Sequence, residues 1–99
     1  MQVTIHSSGV KLESDYEQKI NRKLQLTLSR VEPYLNTVLI HFYSSANSGG
    51  ITNVHCRLTL TIANQADVVI EDKQMTLDCV IDRVLQKASR MIERLVFNM

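Results

Sequence analysis

The stretch from Thr76 to Phe97 carries a hydrophobic repeat that fits a long amphipathic helix. Its apolar residues recur at steps of three and four, the period of an α-helix with one buried face. Thr76 is predicted as the N-cap, because a threonine hydroxyl can accept a backbone N–H of the first turn. Such a helix must cover an apolar surface, and a sheet is the simplest one. The residues of its apolar face are Leu77, Ile81, Val84, Leu85, Ala88, Ile92 and Leu95.

The same helix carries a second, basic stripe. At about 100° per residue its cations fall in a narrow wedge far around the helix from the apolar face. The basic residues of this stripe are Arg83, Lys87, Arg90 and Arg94. The pattern predicts a positively charged surface on the solvent side.

An earlier segment predicts a first helix of similar character. Ser14 and Glu17 have the spacing of a capping box, and Pro33 disfavours helix in the residue before it, so the helix is predicted to end there. The predicted buried residues are Tyr16, Ile20, Leu24, Leu28 and Val31. A neighbouring face carries Lys19, Arg22, Lys23 and Arg30, with Leu26 in its middle.

Four other segments alternate with the period of two that is typical of a strand with one covered face, and the second of them is apolar enough to be covered on both faces. They are residues 1–6, 37–44, 53–62 and 67–71. The run of small and polar residues at 45–50 ends in two glycines and predicts a mobile loop.

The element order is therefore β-α-β-β-β-α. The last three strands follow one another as antiparallel hairpins, and the helical crossover makes the first strand parallel to the second. This order predicts an α+β fold, a two-layer sandwich with a four-stranded mixed sheet and both helices on one face. A chain of 99 residues supports one such domain, residues 1–99.

Composition narrows the classes of protein. The net charge is only +1, yet eight of the 11 Lys and Arg residues lie in the two predicted helices. No apolar run approaches the roughly 20 residues of a membrane span, and no signal peptide precedes the first strand, so we expect a cytoplasmic protein. Cys56 and Cys79 form no metal-binding or redox motif and are predicted to be small core residues.

Catalytic and metal-binding signals are weak. His6, His41 and His55 share the sheet face away from the helices, which allows a zinc set, but solvated histidines are the more common arrangement and Arg57 on that face would repel a cation. The sequence has no nucleotide-binding loop, zincin helix or Ser-His-Asp arrangement. We therefore expect a protein that is not an enzyme and that has no cofactor, no metal and no small-molecule substrate.

Three segments resemble motifs of the ribosome hibernation-promoting factor and ribosome-associated inhibitor family, also known as sigma-54 modulation proteins. The segment from Thr76 to Arg90 resembles the family's acidic cap, Met-Tyr-Ala-Ala-Ile-Asp and Leu-Ile-Asp-Lys-Leu-x-Arg signature. Val10-Lys11-Leu12 resembles its Val-x-Ile entry, and Lys23-Leu24 resembles its Lys-Leu pair. The element order also matches, so the resemblance to the short form of the family spans nearly the whole chain.

The resemblance implies a bacterial stress or stationary-phase protein that lodges in the tRNA and mRNA channel of the small ribosomal subunit. It implies inhibition of translation by occlusion and a monomer off the ribosome. The basic helix faces would contact rRNA, since folded RNA is recognised largely by shape and phosphate contacts. The predicted RNA-binding residues are Lys19, Arg22, Lys23, Arg30, Arg83, Lys87, Arg90 and Arg94.

A second hypothesis is a protein-interaction or self-association module of the same fold that has lost strong RNA binding. Leu26 stands where the family prefers a charged residue, and Asp82 and Glu93 lie near the basic stripe, where they would lower its potential. The predicted apolar surface for a partner consists of Leu26, Leu39, Tyr43, Val96 and Phe97.

Overall fold

The computed structural model describes residues 1–46, 49–50 and 52–97. The strands are β1 (Gln2–Ser8), β2 (Leu35–Ala46), β3 (Thr52–Ile62) and β4 (Val68–Gln74). The helices are α1 (Tyr16–Thr27) and α2 (Leu77–Phe97), and a short 3₁₀ turn covers Glu32–Tyr34. The order β-α-β-β-β-α confirms the predicted α+β fold.

The four strands form one mixed sheet in the order β1-β2-β3-β4. β1 is parallel to β2, whereas β3 is antiparallel to both of its neighbours. The α1 crossover therefore joins two adjacent parallel strands, and hairpins join the rest, as predicted.

The strands are longer than the alternation predicted. Ser45 and Ala46, predicted as loop, belong to β2 and pair with Asn53 and Thr52 of β3. The hairpin ladder continues here because backbone pairing does not require apolar side chains. The predicted mobile loop also includes Asn47 and Ser48, which lie outside the described residues.

The core lies between one face of the sheet and both helices. Val38, Ile40 and Phe42 of β2 alternate inward, and α1 contributes Ile20 and Leu24. The buried residues of α2 are Val80, Ile81, Val84, Leu85, Ala88, Ile92 and Val96. Leu77 and Leu95 are only partly buried.

The two cysteines differ. Cys56 is buried in the core as predicted, and its burial, followed by the nearby charge of Asp72, raises the pKa of its thiol to about 12. Cys79 is exposed, so its prediction as a core residue is wrong. On a helical wheel it lies off the apolar face that contains Ile81 and Leu85.

The start of α1 differs from the prediction. Asp15 is the N-cap, it makes no side-chain cap hydrogen bond, and the predicted capping box from Ser14 to Glu17 is wrong. The N–H of Tyr16 instead donates to the carbonyl of Glu13 at 2.9 Å. At α2, by contrast, Thr76 caps as predicted, since the N–H of Cys79 donates to its hydroxyl at 3.2 Å.

The end of α1 also comes earlier than Pro33 would require. The helix ends at Thr27, and the N–H of Leu28 closes it by donating to the carbonyl of Leu24 at 2.9 Å. Leu28 and Val31 are nevertheless buried, because the turn between them keeps both on the core side. Within the described residues, no helix is both long enough and apolar enough to cross a bilayer.

Candidate nucleic-acid interface

The two helices lie side by side on the sheet, and their outer surface, the helix layer, carries the eight cations predicted to bind RNA. The ion pairs across the helices form a helix seam, consisting of Lys19–Asp78 at 3.4 Å, Lys23–Asp82 at 2.5 Å and Arg30–Glu93 at 3.3 Å. Residue numbers rise together along the seam, so the helices run in the same direction. The seam pairs three cations of the first stripe with carboxylates of α2 and so partly neutralises the first stripe.

Arg30 belongs to the seam although it lies on the turn after α1 and not in the helix. It was predicted on the first helix, but α1 ends at Thr27, so that placement is wrong. Its guanidinium nonetheless donates to Glu93 of α2 from the turn that follows α1. Early helix termination therefore changes the backbone that carries Arg30 without removing it from the helix layer.

Asp72 of β4 holds two cations of the α2 stripe. Its Oδ2 lies 3.1 Å from Arg83 Nε and 3.0 Å from Lys87 Nζ, and its side chain is only 12% exposed. Partial burial alone would raise the pKa of Asp72. Hydrogen bonds from Lys87, the backbone N–H of Lys73 and Arg83 outweigh burial and lower that pKa to about 2. The carboxylate therefore stays charged and fixes both cations beside the sheet edge.

The first turn of α2 carries a second polar contact with α1. The hydroxyl of Tyr16 donates to Asp78 at 2.8 Å, and Lys19 lies 5.6 Å from the ring centroid of Tyr16. Burial, and then the hydrogen bond to Asp78, raise the pKa of Tyr16. The hydrogen bond from Tyr16, helped by Lys19, lowers the pKa of Asp78. This end of the seam is the more nearly neutral one.

Three of the eight cations have no carboxylate partner among the described residues. In the part of the chain that the structure describes, no ion pair includes Arg22, Arg90 or Arg94. Arg90 and Arg94 lie near the C-terminal end of α2, whereas Arg22 lies on α1. Two of the three cations without an ion pair among the described residues therefore lie near the C-terminal end of α2.

A cleft of about 350 Å³ opens at this end of the helix layer. We call it the arginine cleft, and its lining residues are Arg30, Arg90, Glu93, Arg94 and Phe97. The guanidinium of Arg30 lies 5.2 Å from the ring centroid of Phe97. Tyr34 meets the same ring edge to face, with centroids 6.2 Å apart and planes at 88°. Three arginines and the ring of Phe97 thus line one concave surface.

The outer face of the sheet carries the three histidines, as predicted. His6 and His41 are register partners on β1 and β2, and His41 pairs in turn with Arg57 of β3. Ser8 and Ser45 hydroxyls lie 3.1 Å and 2.5 Å from the Nε2 atoms of His41 and His55, respectively. Among the described residues, no group of three or more His, Cys, Asp or Glu side chains lies close enough to hold a metal ion.

Other contacts on this face were missed by sequence reasoning. The rings of Tyr43 and His55 stack with centroids 4.6 Å apart and planes at 10°. Arg57 donates to Glu71 at 2.6 Å, and this hydrogen bond raises the pKa of Arg57. Both pairs are cross-strand neighbours, so only the strand register reveals them.

The acidic partners of the basic residues were also only partly predicted. Asp82 and Glu93 were expected to weaken the α2 stripe, but they pair across the seam with Lys23 and Arg30 of the other stripe. The sequence did not predict Asp72 as a partner of Arg83 and Lys87, although Asp72 lies only four residues before Thr76, the N-cap of the helix that carries them. The pairing of Asp78 with Lys19 could have been predicted, because Asp78 and Asp82 are four residues apart, as are Lys19 and Lys23.

Similarity to known proteins is found in the fold and not in the sequence. No protein-family profile and no curated protein sequence matches the chain. Among solved structures, a ribosomal subunit interface protein from Coxiella burnetii matches at a TM-score of 0.76 and 10% identity, over 96% of this chain and 97% of that one. The Thermus thermophilus Protein Y N-terminal domain matches at a TM-score of 0.68 and 12% identity, over 96% and 99%. The chain therefore has the fold of the hibernation-promoting factor family, as its sequence motifs predict.

Proposed function

We propose that this protein binds the ribosome without catalysing a reaction and inhibits translation as a hibernation factor. In this proposal its helix layer contacts rRNA, and the folded domain occupies the tRNA and mRNA channel of the small subunit. The observation that carries the proposal is the set of eight cations on or beside the two helices, seven on α1 and α2 and Arg30 on the turn after α1, against four paired carboxylates. The fold, shared with a ribosomal subunit interface protein, supports the same role.

The ion pairs within the helix layer are compatible with RNA binding. The side chains of Lys19 and Asp78 are 51% and 58% exposed, and exposed pairs of this kind contribute about 0–1 kcal/mol. An RNA phosphate can therefore replace an Asp or Glu partner at little cost. The unpaired Arg22, Arg90 and Arg94 need no such exchange and are expected to contact phosphate first.

Occlusion requires only a rigid, well-positioned surface. α1 and α2 are held against the sheet by the common core, so the helix backbones that carry the cations keep fixed spacings. Folded RNA is recognised through phosphates, 2′-OH groups and shape, which such a surface can match without reading bases. A domain bound in this way would inhibit translation by excluding tRNA and mRNA from the space it fills.

Co-sedimentation with isolated ribosomal subunits at 50 and 200 mM salt tests the proposal. We expect binding to the small subunit and a steep loss of affinity with salt, since each phosphate contact releases counterions. If only the three unpaired arginines contact phosphate, the loss is roughly 20- to 40-fold; if all eight cations do, it is roughly 2,000- to 20,000-fold. The slope therefore measures how many ion pairs open on binding.

A charge-matched pair of triple variants provides the control. We expect Arg22→Glu, Arg90→Glu and Arg94→Glu together to abolish sedimentation with the small subunit. The control replaces the three basic residues outside the predicted set, Lys11, Arg57 and Lys73, by Glu. Equal loss in both variants would mean that net charge, not the helix layer, governs binding. An unchanged first variant would contradict the proposal.

A protein-interaction module is the second candidate, favoured by the ion pairing of five of the eight cations. Its predicted apolar surface does not form one patch, because Leu26 is on the helix layer and Leu39 is on the outer sheet face. Val96 is 9% exposed, so its predicted place on that surface is wrong. An apolar interface would persist at 200 mM salt, and self-association would appear as a dimer in sedimentation of the protein alone.

A further inference from the structure

We propose that the arginine cleft binds a single unpaired RNA nucleotide, with the phosphate on Arg90 and Arg94 and the base against the ring of Phe97. This inference rests on the proposed ribosome-binding function and specifies where, within the helix layer, a base is held. The C-terminal end of α2 would then bind one base, whereas the rest of the helix layer would contact phosphates through charge alone.

The charges of the cleft favour an anion. Three arginines face one carboxylate, and that carboxylate, Glu93, is already paired with Arg30 at 3.3 Å. Arg90 and Arg94 are left with no carboxylate among the described residues. A guanidinium presents a planar pair of N–H donors that matches the oxygens of a phosphate. The carbonyl ends of α2 do not favour an anion, so these two side chains must supply the attraction.

The aromatic lining favours a base over a simple anion. Phe97, the aromatic residue that lines the cleft, is 46% exposed although its ring is large, and Tyr34 beside it is 42% exposed. Their edge-to-face contact, together with Arg30 over Phe97, holds the ring of Phe97 in a fixed orientation. Exposed aromatic rings beside cations are the arrangement on which unpaired bases stack. An acidic peptide would use the arginines but would gain nothing from the rings.

The size of the cleft selects one nucleotide. Its volume of about 350 Å³ lies at the lower end of the range for small-molecule sites, about 300–1,000 Å³. A base within a duplex is covered on both faces by its neighbours and cannot reach a protein ring. The ligand is therefore an unpaired nucleotide, as found in loops and bulges of structured RNA.

The experiment measures binding of a fluorescent single-stranded RNA trinucleotide and of the same molecule with an abasic central position. We expect the wild-type protein to prefer the intact trinucleotide by about tenfold, in line with one stacked base. Phe97→Leu is expected to remove this preference. Arg94→Gln is expected to weaken both ligands about tenfold, whereas Lys11→Gln, the loss of one exposed cation outside the eight predicted RNA-binding residues, changes them less than twofold.

Equal binding of the intact and abasic trinucleotides, or no binding of either, would overturn the nucleotide site. Tighter binding of a hexaglutamate peptide than of the trinucleotide would overturn it in favour of a protein partner. Thermal melts of each variant check that the fold is retained. Parallel sedimentation with small subunits separates the two proposals. Ribosome binding without a preference for the intact trinucleotide would reject only the nucleotide site in the arginine cleft. A preference for the intact trinucleotide without ribosome binding would reject only the ribosomal role.

Discussion

A single carboxylate, Asp72, fixes the position of two cations that are proposed to contact RNA. It receives Arg83 and Lys87 from α2 and the backbone N–H of Lys73 from its own strand. These contacts keep Asp72 ionised, so it orders the cations and at the same time reduces their potential. Asp72 therefore links the stability of the fold to the strength of the proposed RNA contact.

Replacing Asp72 by Asn separates these two effects. We expect Asp72→Asn to tighten small-subunit binding at low salt by roughly two- to tenfold, since about 1 kcal/mol of attraction on the two cations is removed. The free energy of unfolding should fall by about 1 kcal/mol at pH 7. Co-sedimentation and urea unfolding measure the two quantities.

This stability loss should depend on pH in a definite direction. The pKa of Asp72 in the folded state, about 2, lies below the ordinary aspartate value of 3.8, so its contribution to stability is present above about pH 4 and is lost as the pH falls toward 2. Asp67→Asn is the matched control, because Asp67 is exposed and enters no ion pair among the described residues. Indistinguishable behaviour of the two variants would contradict the role given to Asp72.

The two thiols provide a second test at the residue scale. Because Cys79 is exposed and Cys56 is buried with its pKa raised to about 12, we expect one thiol per molecule to react with an aromatic disulfide reagent at pH 8 in the native state. The second should react only after unfolding in urea. Cys79→Ser should abolish the native reaction. Two fast thiols in the folded protein would contradict the core placement of Cys56.

At the scale of elements, the two helices differ in how their N-terminal ends are capped. α2 begins with a side-chain cap at Thr76, whereas α1 begins at Asp15 with backbone contacts alone. The longer helix therefore has the better defined start, and its first turn also supplies Asp78 to the seam. A loose start in α2 would disturb the neutral end of the helix layer.

A pair of alanine variants compares these starts. Thr76→Ala should lower the free energy of unfolding by about 1 kcal/mol, the usual cost of losing an N-cap hydroxyl. Ser14→Ala should change it by less than about 0.5 kcal/mol, because the predicted capping box is not formed. Chemical denaturation at pH 7 measures both. A larger loss for Ser14→Ala than for Thr76→Ala would contradict the helix starts described above.

At the scale of the whole molecule, periodicity predicted the fold well and the charge pairing poorly. Alternation in β3, from Val54 to Ile62, and the three-four repeat of α2 follow directly from which side chains face the core. The early end of α1 at Thr27 was not predictable, because Pro33 sets only a latest boundary.

Ion pairs escaped prediction because they join residues far apart in the chain. Lys23 and Asp82 are 59 positions apart, and only the parallel packing of the helices brings them together. Asp72 meets Arg83 because β4 runs beside α2 in the folded chain. The sequence therefore predicted which cations lie on the helix layer, but the arginine cleft required knowledge of which of them remain unpaired.

The helix seam also bears on how long a complex can last. When a phosphate leaves Lys19 or Lys23, a carboxylate of the neighbouring helix is already within reach, so no positive charge is left bare. Because a carboxylate replaces the phosphate at each lysine, the free-energy barrier to dissociation of the RNA is low. For the proposed ribosome complex, we therefore expect residence times that shorten as ionic strength rises.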